Sequence, residues 1–357
     1  MRAWPPGAAA IRSPAMRDGF PLVELHRHLD GNVRLGTVVD LARRHGIELP
    51  AHSPEGLRPY VQVTEPEPDL MAFLAKFEVL RSVLADYDAV RRIARENVED
   101  AAAEGIDYVE LRFSPAFMAE PHGLEPRAVV EAVCDGLDEA LAAEAATSGS
   151  PPRARLIGII SRNYGPESGW IELEAALAFR HRGVVALDLA GDEAGWPGEL
   201  FVEHFRHARE AGLHVIAHAG EAAGAESVRQ AVLELGAERI GHGIRAVEDP
   251  EVIDLLAERG TALEVCPTSN LQTSTVAGWQ DHPLPLFLER GLLATLNTDD
   301  PSISGIDLAH EYRMAGERLG LDADALATLQ WNALEAAFLS PEERRALRTA
   351  AEGSGAR

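Results

Sequence analysis

One short phrase recurs along this chain and constrains the fold more than any other feature. A helical stretch ends at a glycine, a brief β-rich apolar run follows, and the run closes in polar residues. It occurs at Gly105 before IDYVELRFSP, Gly183 before VVALDLAG, Gly212 before LHVIAHAGE, Gly236 before AERIGHG, Gly260 before TALEVCPTSN and Gly291 before LLATLNTDDP. Glycine just past a helix end takes the left-handed backbone region without a Cβ clash. Adding PLVELHRHLDG (21–31) and RLIGIISRN (155–163) gives eight candidate strands, separated by helical patterns such as 88–105 and 125–146. Eight buried strands alternating with helices predict an α/β fold, a (β/α)8 TIM barrel. A doubly wound sheet would want a glycine-rich phosphate loop after its first strand, and HRHLDG is not one. A long interval after the first strand, with helical segments at 35–45 and 69–85, reads as an insertion over the barrel mouth. A helical stretch at 307–350 reads as additional C-terminal helices that close the barrel. Nothing in composition splits the chain, so residues 21–350 are expected to form one domain after a disordered tail at 1–20.

Charge narrows the function. There are 33 basic and 57 acidic side chains among 357 residues, for a net charge of −24. A nucleic-acid or anionic-membrane surface needs the opposite sign, so neither partner is expected. Lys76 is the only lysine. Two cysteines, Cys134 and Cys266, are too few for a disulfide framework or a cysteine-rich zinc site. No run of about 18 apolar residues is present. The first 20 residues also lack the apolar stretch of a secretory signal. A cytoplasmic protein is expected.

The chemistry-bearing residues fall at the C-terminal ends of the candidate strands, the face on which barrels place active sites. His26 and His28 are two apart on a strand, so both imidazoles point to one side. With His218 after the fifth strand and Asp299 after the eighth, they make a three-nitrogen, one-carboxylate donor set. That set suits one Zn²⁺ with a place for water; Fe²⁺, Mn²⁺ and Co²⁺ are further candidates. Glu221, three residues past His218, is placed as a proton donor, and His242 to orient or deprotonate the water. A two-metal amidohydrolase site would want a bridging lysine after the fourth strand, but that strand ends DLAGDE and Lys76 lies elsewhere. Deaminases built on P-C-x-x-C are excluded because the chain has no C-x-x-C.

The words VELHRHLDGN, FLAKF, YVELRFSP, ALDLAGDE, HAGE, RIGHG, EVCPTSN and LNTDDP, in this order over residues 23–301, resemble the adenosine deaminase family of metal-dependent amidohydrolases. The resemblance implies deamination of adenosine and 2′-deoxyadenosine to inosine and 2′-deoxyinosine, with release of ammonia. Carried over by position, His26, His28, His218 and Asp299 hold one zinc, Glu221 protonates purine N1, and His242 stabilises the attacking hydroxide. Gly191 N–H meets N3, Asp300 meets N7, Asp30 takes a ribose hydroxyl, and His28 borders the substrate. Phe73 and Phe77 form part of an apolar gate in the resemblance, and ordinary helix packing explains them equally well. Asp30 in HRHLDG is typical of the adenosine enzymes, where adenine deaminases carry glutamate. The segments after strands 7 and 8 hold no lysine or arginine for a phosphate, which disfavours AMP; Arg162 and Arg245 lie near other strand ends. The alternatives are a deaminase of adenine or an N6-modified nucleoside, and a nucleoside-binding protein without turnover.

Overall fold

All six punctuating glycines have positive φ, from 64° at Gly260 to 97° at Gly183, and each turns a helix end into the next strand. The computed structural model describes residues 20–148 and 153–354. The expected tail, Phe20 apart, and residues 149–152 and 355–357 lie outside the described residues. The strands are β1 (Val23–His28), β2 (Tyr108–Phe113), β3 (Arg153–Ser161), β4 (Val184–Ala190), β5 (His214–Ala219), β6 (Arg239–His242), β7 (Ala262–Val265) and β8 (Ala294–Leu296). Each overlaps one expected run, and all pair in parallel in the order β1 to β8. The polar residues that close each run mostly fall outside the strands, because there the chain leaves the ladder for the loops of the barrel mouth.

The seam between β8 and β1 closes above the ends of the short β8. Asp299 N–H donates to the His26 carbonyl at 2.9 Å and His28 N–H to the Asp299 carbonyl at 2.8 Å. Lower down, side chains replace the ladder: Leu25 N–H donates to Asn297 Oδ1 at 2.9 Å and Thr298 N–H to Glu24 Oε1 at 2.7 Å. The closure that completes the barrel therefore also carries three of the expected ligands, His26, His28 and Asp299.

A large apolar core lies between the sheet and the surrounding helices, while inside the barrel Ile157, Ala186 and Ile216 form a small separate plug packed against Phe338. Beside that plug the interior is charged, with Arg112 in register with Ile157 and Arg239 with Ile216. Arg239 pairs with Glu110 at 2.5 Å and Glu264 at 2.6 Å. Arg112 pairs with Glu264 at 2.6 Å and Asp188 at 2.7 Å. Buried charges persist only when paired, and this column reaches the underside of the histidine cluster.

The insertion after β1 holds four helices where two were expected. Leu35–His45 agrees with its expected bounds, but 69–85 divides into Leu70–Leu74 and Phe77–Arg81. Tighter i→i+3 bonds, Lys76 N–H to Phe73 O and Glu78 N–H to Ala75 O, interrupt that segment. Helix Pro54–Val61 went unread although it has a legible start, with Ser53 accepting from Gly56 N–H and proline at its first position. Phe73 and Phe77 are buried in the main core, Phe77 edge-on to Phe117 at 5.7 Å between centroids. The C-terminal stretch resolves into Leu308–Leu319, Ala323–Ala336 and Pro341–Ser354. Asn332 on the second of these donates to the Ala294 carbonyl, fixing that helix to β8.

Candidate active site

His26, His28, His218, Glu221, His242 and Asp299 converge at the C-terminal mouth of the barrel, as the sequence reading expected. His28 Nε2 stands 3.3 Å from His218 Nε2 and 3.3 Å from Asp299 Oδ1, and His26 Nε2 stands 3.2 Å from the same oxygen. His242 is brought into the same group. One donor atom each from His26, His218, His242 and Asp299 lie within 4.8 Å of one another, all four residues buried. His242 Nε2 is also 3.5 Å from Glu221 Oε2 and 3.8 Å from Asp299 Oδ2. Gly241 permits the crowding, since a Cβ there would come to 3.0 Å from His26 and 3.2 Å from His218. His242 and Asp299 both hold left-handed backbone, φ 63° and 66°. Such strain costs on the order of 1–3 kcal/mol and gathers at functional sites.

Carboxylates stand behind two of the imidazoles. His26 Nδ1 meets Glu264 Oε2 at 2.9 Å, and His218 Nδ1 meets Asp188 Oδ2 at 3.1 Å. An imidazole that donates from Nδ1 presents the Nε2 lone pair to a metal. Burial opposes ionisation of both carboxyls, but the charges around them outweigh it and hold both well below the usual range. For Asp188 these are His218 and Arg112, and for Glu264 they are Arg112 and Arg239. Ser269 Oγ donates to Asp299 Oδ2 at 2.6 Å, leaving Oδ1 toward the histidines. His26 Nε2 is buried without a hydrogen-bond partner, as expected of an atom that awaits a ligand.

Glu221 is held from behind. Glu193 Oε1 accepts from Gly220 N–H at 2.7 Å and Ser227 Oγ at 2.5 Å. Its Oε2 accepts from Glu221, Ala222 and Ala223 N–H at 3.1, 2.7 and 2.8 Å. Burial, then the charges of Asp299 and Glu193, push the Glu221 carboxyl well above its ordinary value. Asp300 is raised in the same direction by burial and by the Asp299, Asp30 and Glu221 charges. Asp30 is pushed up to about 7 by burial. Oδ1 of Asp30 and Oδ1 of Asp300 are buried without hydrogen-bond partners. A Cβ on Gly31 would come to 1.7 Å from Asp300 Oδ1, so glycine is required beneath that carboxyl. Gly191, φ 105°, follows β4 with no room for a Cβ, which would meet Asn163 Oδ1 at 2.2 Å.

The cations near the mouth are engaged. Arg162 is buried and donates to the Trp196 and His218 carbonyls, both at 2.7 Å. Arg245 pairs with Glu248 at 2.6 Å, Arg81 with Glu120 at 2.7 Å, and Lys76 with Glu67 at 3.0 Å. Cys134 and Cys266 are free and buried. No helix among the described residues is long and apolar enough to cross a membrane.

Sequence reasoning missed Arg112, Glu264, Glu193, Ser269, Asn270 and His282, and gave Asp188 no role. All but His282 lie inside the quoted words or beside them, but no spacing rule pairs a strand carboxylate with a histidine on another strand.

A (β/α)8 barrel whose strand ends bring histidines, an aspartate and a glutamate with a raised pKa to one buried point defines a metal-dependent hydrolase of the amidohydrolase architecture. The chain belongs to the adenosine deaminase family, whose description matches residues 21–352. It is 55% identical over 329 residues to the adenosine deaminase of Salmonella schwarzengrund, covering 92% of this chain and 97% of the relative. Among solved structures it resembles an adenine deaminase from Arthrobacter aurescens, with TM-score 0.84, 31% identity and 94% and 98% of the two chains covered. It also resembles an amidohydrolase with bound Zn from Burkholderia ambifaria, with TM-score 0.83, 28% identity and 95% and 91% covered.

Proposed function

We infer that the protein hydrolyses adenosine and 2′-deoxyadenosine to inosine and 2′-deoxyinosine, releasing ammonia. The observation that carries this reading is Glu221, buried and biased toward its protonated form beside His242 and the convergent His/Asp cluster. A proton donor at that point suits protonation of a ring nitrogen while a nucleophile adds to the adjacent carbon.

The metal is read as one zinc ion, held by His26, His28, His218 and Asp299. Two donors bound to one zinc at about 2.0–2.1 Å each can stand no more than about 4 Å apart. The donor separations of 3.2, 3.3 and 3.3 Å fall within that limit, so these residues could share one ion. Bound zinc lowers the pKa of water to about 7 and supplies the nucleophile at neutral pH. Glu221 delivers its proton to purine N1 as the nucleophile adds to C6, and His242 steadies the oxygen that adds. The C6–N6 bond then breaks: the proton of the added hydroxyl passes to the amino group, which leaves as ammonia, and C6 keeps the oxygen as a carbonyl. N1 keeps the proton from Glu221, and the other proton of the water restores Glu221. Asp300, biased toward the acid form, donates to N7; Gly191 N–H meets N3; Asp30 takes a ribose hydroxyl, with His28 at the border of the base.

The paired state of Arg162, Arg245, Arg81 and Lys76 favours an uncharged nucleoside over a nucleotide. We read residues 21–350 as one domain, because a single sheet runs from Val23 to Leu296 and the C-terminal helices are fixed to it through Asn332 and Ala294. The free buried cysteines favour a reducing, cytoplasmic setting. The test is Glu221→Gln, with turnover of adenosine lost and metal content retained. Substantial activity in that variant would show that the acid lies elsewhere.

A further inference from the structure

Five groups crowd the metal point, and distance separates His242 from the ligands only slightly, its Nε2 lying 3.8 Å from Asp299 Oδ2 against 3.2 and 3.3 Å for His26 and His28 from Oδ1. What stands behind His26, His218 and His242 separates them more sharply. Behind His26 and His218 are carboxylates, Glu264 and Asp188. Behind His242 is an amide: Asn270 Nδ2, on the helix Pro267–Gln272 after β7, lies 3.0 Å from His242 Nδ1. Asn270 is fully buried, and its Oδ1 lies 3.3 Å from Nε2 of His282, itself 5% exposed.

The polarity of this line is set by the main chain. Leu284 N–H donates to His282 Nδ1 at 3.2 Å. A backbone N–H is only ever a donor, so His282 Nδ1 accepts and the ring proton is on Nε2. Burial pushes the His282 pKa down to about 4, which keeps the ring neutral near pH 7. Its Nε2–H donates to Asn270 Oδ1, and this orients the amide with Nδ2 toward His242. His242 Nδ1 must then accept, leaving its proton on Nε2, the nitrogen nearest Glu221 and Asp299.

We propose that Asn270 and His282 are positioning residues that fix His242 in its Nε2–H tautomer, so that it faces the attacking oxygen as a hydrogen-bond donor and not as another metal ligand. The carboxylate-backed His26 and His218 become ligands and the amide-backed His242 becomes the donor; His28, whose Nδ1 is 3.8 Å from Asp30 Oδ1, stands outside this contrast. This rests on the reading of His242 given above.

The test uses zinc-loaded enzyme labelled with [15N]histidine and long-range 1H–15N spectra, with resonances assigned by single-histidine variants. In the wild type, His242 and His282 are expected with Nε2 protonated and Nδ1 bare. In Asn270→Asp, which offers His242 an acceptor, Nδ1 is expected to become protonated. There kcat should fall roughly 100-fold while KM for adenosine stays within about threefold and zinc content is unchanged. His282→Leu should lower kcat in the same way, and His282→Gln, which keeps a donor toward Asn270, should recover most of the loss. His242 protonated on Nδ1 in the wild type, or Asn270→Asp with bare Nδ1 and kcat within about threefold, overturns the relay. His242→Ala separates the two levels: near-normal kcat there removes the catalytic reading whatever the spectra show.

Discussion

Replacing Glu193 with glutamine tests how the proton donor is held. The change keeps size and shape but exchanges one acceptor oxygen for a donor. If the remaining oxygen keeps Glu221, Ala222 and Ala223 N–H, the new amide meets Gly220 N–H, now 2.7 Å from Oε1, and only Ser227 Oγ has the freedom to reverse its bond. One backbone donor is orphaned, at about 1–3 kcal/mol, and three bonds lose a charged acceptor at about 1 kcal/mol each. The sum is about 4–6 kcal/mol, concentrated in the four residues that carry Glu221. Removing the Glu193 charge also takes away one cause of the raised Glu221 pKa. Hydrogen exchange should therefore show lost protection at amides 220–223. The kcat should fall by about 100-fold or more, while zinc content is retained because no ligand side chain touches Glu193. Unchanged protection at those amides with kcat within about threefold of wild type would refute the reasoning.

Two further outcomes follow from the buried charges. Glu264→Gln removes the charge and leaves one acceptor for His26 Nδ1, Arg112 and Arg239, so zinc affinity measured by chelator competition should fall by about 10- to 100-fold; unchanged affinity would contradict the role given to Glu264. Glu311 is buried with Oε2 unpartnered, and burial pushes its pKa from 4.5 up to about 8. The folded state therefore holds a proton that the unfolded state releases between those values. Its contribution is fully present below pH 4.5 and lost as pH rises to about 8, an effect on the order of a few kcal/mol. Glu311→Gln should abolish that part of the dependence, seen as a Tm difference from wild type that moves in the variant's favour as pH rises through this window.

Strand number, order and the location of the site were legible because they depend on local rules: a glycine at each helix end, an apolar run, then polar residues at the mouth. The i, i+2 spacing of His26 and His28 foretold a shared face, and their rings do converge, 5.4 Å apart between centroids. Less legible was anything set by packing across the barrel. Arg112 reads as an ordinary strand residue, yet it bridges Asp188 and Glu264, which sit 76 and 152 positions away in the chain. Glu193 was visible in the GDE triplet, but its grip on 220–223 depends on the loop curling around one carboxylate. His242 was placed at the mouth by its motif, but the line behind it, Asn270, His282 and the amide of Leu284, could not be read from spacing.

The central claim is that this barrel deaminates an uncharged adenine nucleoside. It is met most directly by measuring ammonia release from purified, metal-quantified enzyme on adenosine, 2′-deoxyadenosine, adenine, an N6-modified adenosine and AMP. The expected result is one zinc per chain and kcat/KM for the two nucleosides roughly 100-fold or more above adenine and AMP. Turnover of adenine, the N6-modified nucleoside or AMP in preference to adenosine would contradict it.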